Sequence, residues 1–246
     1  MFETYTKKDE NGEKVTIEID LDIAHSKDKS LKKKSLMLWL FIKTEELDNS
    51  MQNEIIEFLE STYDALYIGK RIAQGWSELY FYAQDNRGYS NKTGTFLQNL
   101  SDLAYEVGSH KDPSWKQYEV ELYPDEVSFH QIQSQHIIDA LQDEGDDITI
   151  ERSVDHIVYF QLEAQVERFV KSLYDSEFFL KEQGYDSSAE YGYGLVLSRI
   201  HAVDIETIEK IQMQIMPFIK DEHGYYDGWN TQLASDNVED DEEDNS

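Results

Sequence analysis

The sequence predicts an α+β protein of two domains, each built on a βαββαβ order. Three observations predict it. Apolar residues alternate at period two over several short segments, apolar residues recur at helical spacing between those segments, and the two patterns follow one another in that order once in each half of the chain.

The first half opens with Val15, Ile17, Ile19, Leu21 and Ile23, separated by Thr16, Glu18, Asp20 and Asp22, the pattern of a half-buried strand. Leu36–Ile42 (LMLWLFI) is a continuous apolar run of strand length, expected as a central strand covered on both faces. Met51, Ile55, Ile56, Leu59, Tyr63 and Leu66 repeat at helical spacing, with Asn49-Ser50 available to cap the start. Strand patterns over 66–73 and 78–83 flank Gln74-Gly75, which reads as a hairpin. Phe96, Leu97, Leu100, Leu103, Ala104 and Val107 predict a second helix, and the alternation over 118–123 predicts a last strand ending at Pro124. With the opening strand as an addition, the remaining order is βαββαβ. Two helices on one face of an antiparallel sheet would bury it.

The second half begins with a helical pattern over 128–142, carrying Ile132, His136, Ile137 and Leu141. A strand follows within 148–161, marked by Val154, Ile157, Val158, Tyr159 and Phe160. Ala164, Val166, Phe169, Val170 and Leu173 predict a helix, and strands are expected at 184–187 and 195–203. Ile205, Ile208, Ile211, Ile215, Met216 and Ile219 predict the last helix, stopping near Gly224, with one short strand over 225–233. Setting the leading helix aside, the order is again βαββαβ. The polar stretch 123–129 is the expected boundary, giving domains at 1–125 and 128–233. Beyond it, 234–246 has almost nothing apolar to bury and carries six successive carboxylates, so a disordered acidic tail is expected.

Composition narrows the function. Asp plus Glu outnumber Lys plus Arg by 51 to 22, for a formal charge of −29, whereas nucleic-acid binding calls for a basic face that displaces counterions. A direct nucleic-acid partner is therefore not expected, and a basic protein partner is, because long-range attraction raises its encounter rate. With no cysteine, disulfides, thiolate nucleophiles and Cys-ligated zinc are excluded. The first residues lack the charged start and apolar stretch of a signal peptide, and the longest apolar run is far short of a membrane span, so a cytoplasmic protein without a membrane partner is expected.

Reactive constellations are sparse. Gly192-Tyr193-Gly194 feeds a strand where a nucleotide-binding loop would open a helix, so a hairpin turn explains it. The seven histidines are scattered, and no serine sits in a Gly-x-Ser-x-Gly elbow. Glu18, Asp20 and Asp22 share a strand face that could attract a cation, but a solvated face accounts for them. No cofactor, metal or catalytic residue is assigned. His156 would matter if paired with Asp155, although a hydrogen-bonded structural histidine is the favoured reading for a strand position. In Tyr225-Tyr226-Asp227-Gly228-Trp229, glycine beside aromatic and acidic residues suits a tight turn that presents or buries Trp229, and such residues serve both as interface centres and as core anchors. The candidate protein-interaction residues are thus Asp155, His156, Tyr226, Asp227, Gly228 and Trp229.

Gly145-Asp146-Asp147, then Arg152-Ser153-Val154-Asp155-His156 with Tyr159-Phe160, then Gly184-Tyr185 and finally Tyr226-Asp227-Gly228-Trp229 before an acidic tail occur in one order. This succession, from about Gln131 onward, resembles the bacterial regulator of ribonuclease activity B family, protein inhibitors of ribonuclease E. The first half is similar to a bacterial domain of unknown function, number 695 in its series, through Ile68-Gly69-Lys70-Arg71, Glu78-Leu79-Tyr80-Phe81-Tyr82 and Asp112-Pro113-Ser114-Trp115-Lys116-Gln117-Tyr118. The resemblance implies a ferredoxin-like α/β sandwich in the regulatory half, and the shared strand and helix order extends that expectation to both halves. It further implies non-enzymatic control of RNA turnover by contact with a ribonuclease or another RNA-decay component, with no cofactor. Two alternatives remain: a carboxylate enzyme using Mg²⁺, and a ligand-sensing scaffold acting through an apolar pocket within 1–123. The sequence leaves the oligomeric state open.

Overall fold

A computed structural model describes residues 1–28 and 30–234. The expected disordered tail, apart from Ala234, lies outside them. The chain divides between Ser128 and Phe129 into two compact units.

In the first unit β1 (Phe2–Lys8) and β2 (Lys14–Asp20) form a hairpin, followed by a short helix α1 (Asp22–His25). β3 (Leu36–Ile42), α2 (Asn49–Tyr63), β4 (Leu66–Ala73), β5 (Trp76–Ala83), α3 (Tyr89–Leu100) and β6 (Tyr105–Lys111) then complete a six-stranded antiparallel sheet of order β1-β2-β4-β5-β3-β6. Val15, Ile17 and Ile19 are buried as their alternation predicts, but β2 ends at Asp20, which accepts the Asp22 amide and the N-terminal ammonium. Leu21 and Ile23 consequently leave the strand. β1 was not anticipated; only Tyr5 of its side chains is buried, so it shows little periodicity.

Asp48, rather than Asn49 or Ser50, caps α2, accepting from the Ser50 and Met51 amides. Gln74 and Gly75 both have positive φ, the geometry of the tight turn expected between β4 and β5. The last strand lies earlier than predicted. Val107 opposes Leu40 in the β3–β6 ladder, whereas 118–123 is mostly a π-helix (Gln117–Leu122). Its alternation misleads because only Tyr118 and Leu122 are buried, four residues apart on one helical face.

Leu38, Leu40 and Ile42 pack with Ile55, Leu59 and Leu97 beneath the two helices. On the opposite face the π-helix is tied down by Tyr5 Oη donating to the Leu122 carbonyl (2.7 Å) and Tyr118 Oη to the Asp20 carbonyl (2.8 Å). Trp39 and Phe41 stay half-exposed there, so β3 is central but not fully covered on both faces.

The second unit contains most of α4 (Glu126–Asp143), then β7 (Arg152–Phe160), α5 (Glu163–Ser172), β8 (Phe179–Tyr185), β9 (Tyr193–His201), α6 (Ile205–Asp221) and β10 (Tyr225–Thr231). Its antiparallel sheet has the order β10-β7-β9-β8. In each unit the first strand of the βαββαβ run sits between the third and the fourth, here β6-β3-β5-β4 and β10-β7-β9-β8, which is the ferredoxin-like arrangement. Val158 and Phe160 pack on α5 and α6, while Val154 meets Ile138 of α4 and Ile208 of α6. All three helices therefore cover one face of this sheet. No described helix is long and apolar enough to cross a membrane.

Candidate protein-interaction surface

Successive residues of β7 point to opposite faces, so Val154, His156, Val158 and Phe160 face the helices while Ser153, Asp155, Ile157 and Tyr159 face away. This separates Asp155 from the ring of His156, and the pairing considered from the sequence does not form. Asp155 instead receives Lys181 Nζ at 2.6 Å across the open face, and its Oδ1 is buried without a hydrogen-bond partner.

His156 is fully buried in a chain of hydrogen bonds whose direction is set at one end. His201 Nδ1 lies 2.6 Å from the Ala202 carbonyl, which only accepts, so that nitrogen carries the proton. With His201 neutral, its Nε2 accepts from His156 Nε2 at 3.2 Å, leaving His156 Nδ1 to accept from Tyr226 Oη at 2.9 Å. Burial, followed by the neighbouring His201 and Arg199, pushes the His156 pKa down to about 3, and burial lowers that of His201 as well. Both rings are thus held neutral.

Trp229 sits opposite His156 in the β7–β10 register and donates its indole N–H to Ser134 Oγ (2.9 Å), where Gln212 Nε2 also donates (3.1 Å). Strand β10 thereby fixes both α4 and α6. Between Tyr226 and Gly228 the register shifts, leaving Asp227 as the extra, exposed residue, and Gly228 has φ +122°, which only glycine adopts readily. The glycine serves a strand bulge rather than the expected turn, and it is this bulge that lets both Tyr226 and Trp229 face inward. Nearby, Arg152 forms a buried ion pair with Asp146 and donates to the Asp147 carbonyl, while Asp146 also accepts the Ala234 amide at 3.3 Å.

Of the six candidates, His156, Tyr226 and Trp229 form the inner side of the sheet, Gly228 the bulge, Asp227 the exposed group, and Asp155 a mostly covered carboxylate held by Lys181 on the outer face. The outer face carries apolar groups that no helix of the unit covers. Ile200 is 67% exposed, Phe179 55% and Tyr225 47%, alongside half-buried Ile157, Tyr159 and Val196. Gly194 permits this packing, since a Cβ there would lie 2.9 Å from the Tyr159 ring. The sequence signal for this face was the unbroken run Ile157–Val158–Tyr159–Phe160, apolar at both alternating sets. His201 and Ser134 carried none. Among the described residues no group of three or more His, Asp or Glu side chains is arranged to hold a metal. Glu18 pairs with Lys70, while Asp20 and Asp22 take the N-terminal ammonium.

Residues 131–231 match the family model described as Regulator of ribonuclease activity B. The second unit belongs to that family. The regulator-B unit follows a unit whose residues 11–123 match a model described as Family of unknown function (DUF695). No curated protein matches the chain. Among solved structures, one described as a glycine cleavage system transcriptional repressor shares 11% identity, covering 81% of this chain and 98% of its own, with a TM-score of 0.26. An unknown protein from Galdieria sulphuraria shares 8% identity over 78% of this chain and 96% of its own, with a TM-score of 0.22. At these TM-scores neither informs the fold or the function of the regulator-B unit.

Proposed function

We propose that the chain is a non-enzymatic, cytoplasmic regulator of RNA turnover that binds a ribonuclease, of the ribonuclease E type, through the outer sheet face of its regulator-B unit. Family membership supplies the class of partner. The observation that carries the surface is the apolar patch of Phe179, Ile200 and Tyr225 on a face that the unit's own helices leave open. His156, Tyr226, Gly228 and Trp229 act from beneath by fixing the curvature and register of β7 and β10, while Asp227 contributes charge at the surface and Asp155 positions Lys181 on the outer face. The net charge of −29 favours a basic segment of the partner.

The reading is tested by titrating purified ribonuclease E with the full chain, following both complex formation and the rate of RNA cleavage. Binding with slowed cleavage is expected, weakening as ionic strength rises past about 0.15 M, where the screening length is about 8 Å. Ile200→Asp and Phe179→Asp should each weaken the complex about tenfold or more, with an unchanged circular dichroism spectrum. No complex with the nuclease at low salt, or full affinity in both variants, would remove the partner or the surface respectively.

A further inference from the structure

We propose that a concave groove in the first unit binds a small phosphate-bearing anion up to the size of a nucleotide. The groove is about 870 Å³, within the usual range for small-molecule sites, and lies where the β1–β2 turn, the β4–β5 hairpin and the segment after β6 converge. In a chain with only 22 Lys and Arg against 51 acids, five of those cations line it, Lys7, Lys8, Arg71, Lys111 and Lys116, together with His110.

The cations differ in availability. Arg71 is held by Glu78 at 3.0 Å, and Lys7 Nζ donates to the Glu121 carbonyl at 3.0 Å. Lys8, Lys111 and Lys116 are exposed, and no ion pair among the described residues uses them. Four carboxylates also line the groove. Asp112 is consumed by Tyr82 Oη (2.5 Å), the amides of Lys116 and Gln117 (both 2.9 Å) and Ser114 Oγ (3.3 Å). Asp9 accepts the Asn11 and Glu13 amides at 2.9 Å, leaving Glu10 and Glu121 as the uncommitted acids.

The wall that presents Lys116 is held in an unusual backbone state. Trp115 has φ +56°, a region that bulky side chains rarely occupy, and is kept there by stacking on Tyr82 at 4.1 Å and by its indole N–H on the Lys34 carbonyl (2.9 Å). Such strain persists where surrounding structure over-determines it, commonly at ligand sites. Buried Tyr80 forms part of the groove floor, and beyond the groove lining lie the half-exposed rings of Phe41, 5.9 Å from Tyr80, and Trp39, 4.6 Å from Phe41. A planar ring attached to the anion would find stacking partners there.

A small ligand suits this site better than a polymer. Screening confines the field a small anion feels to about 8 Å, where five Lys and Arg side chains stand against four carboxylates, two of them already holding backbone amides, whereas a nucleic-acid strand would extend over a surface in which acids outnumber cations far more heavily.

The test is calorimetric titration of the full chain with ADP, with inorganic pyrophosphate and with a short RNA oligonucleotide. The triple variant Lys8→Gln, Lys111→Gln, Lys116→Gln is compared with Lys171→Gln in the second unit as control. Saturable binding of ADP or pyrophosphate is expected, weakened about tenfold or more in the triple variant and unchanged in the control. Binding of both assigns the site to nucleotides, and binding of pyrophosphate alone assigns it to free phosphates. Absence of binding by either, equal affinity in the triple variant despite an intact circular dichroism spectrum, or tighter binding of the oligonucleotide in competition with ADP would overturn the proposal.

Discussion

Tyr226 donates its hydroxyl to Nδ1 of His156 at 2.9 Å, joining the edge strand of the second sheet to its central strand inside the core. Because His156 Nε2 is engaged by His201, the imidazole has no unpaired nitrogen. Tyr226→Phe keeps the ring and its packing but strands Nδ1 in an apolar setting. The expected cost is about 1–3 kcal/mol of stability, read as a lowered urea midpoint with unchanged slope.

The same histidine makes the second unit sensitive to acid. Its folded-state pKa, about 3, lies below the ordinary value near 6.5, so the unfolded chain binds the extra proton. Stability is fully present above pH 6.5 and is lost as pH falls from there toward 3. Urea midpoints recorded between pH 7.5 and 4.5 should fall, and His156→Asn should flatten that dependence. An equal slope in the variant would show that carboxylates alone set the acid limit.

Arg152 and Asp146 form an ion pair in which both side chains are almost wholly buried. Removing one partner leaves an uncompensated charge, so Arg152→Ala should destabilise the unit by about 3–5 kcal/mol. A double replacement, Arg152→Met with Asp146→Leu, should recover part of this loss. Thermal denaturation of the three proteins decides it.

Gly69 lies at a bulge of β4 with φ +153°, and a Cβ there would lie 2.3 Å from the Glu18 carbonyl oxygen in the neighbouring strand. Neither the strand nor the φ can yield cheaply, so Gly69→Ala should cost about 2–3 kcal/mol or more in the first unit alone. The tryptophans report the units separately: Trp39, Trp76 and Trp115 lie in the first, Trp229 in the second. Fluorescence of the variant carrying Trp229→Phe follows the affected unit.

How far the sequence revealed this architecture can be traced residue by residue. Val15, Ile17 and Ile19, the hairpin about Gln74-Gly75, and the α6 stripe from Ile208 to Ile219 were legible because a single buried face imposes a period. The last strand of the first unit was misplaced because β6 has no buried residue, while the spacing of Tyr118 and Leu122 fits a helix and an alternating strand alike. Trp229 and Tyr226 were recognisable as important, but which way they faced depended on the Asp227 bulge, and a bulge reverses the side to which residues point without changing composition. The His156–His201 contact joins residues distant in sequence, so no spacing rule could announce it. The groove was hidden by the opposite problem: its cations come from three separated segments of an acidic chain, and only folding gathers them.

Strand β10 is the last described element of the sheet, yet it supplies the inward Tyr226 and Trp229 that close the second core. During synthesis, at about 5–20 residues per second, the first unit can assemble as soon as its π-helix has left the ribosome. The second must wait for β10 to bring Tyr226 and Trp229, and until then Ile138, Val154 and Ile208 lack the ring that completes their cluster. For those seconds the nascent chain shows chaperones, and any neighbouring nascent chain, an apolar surface that the finished protein never displays.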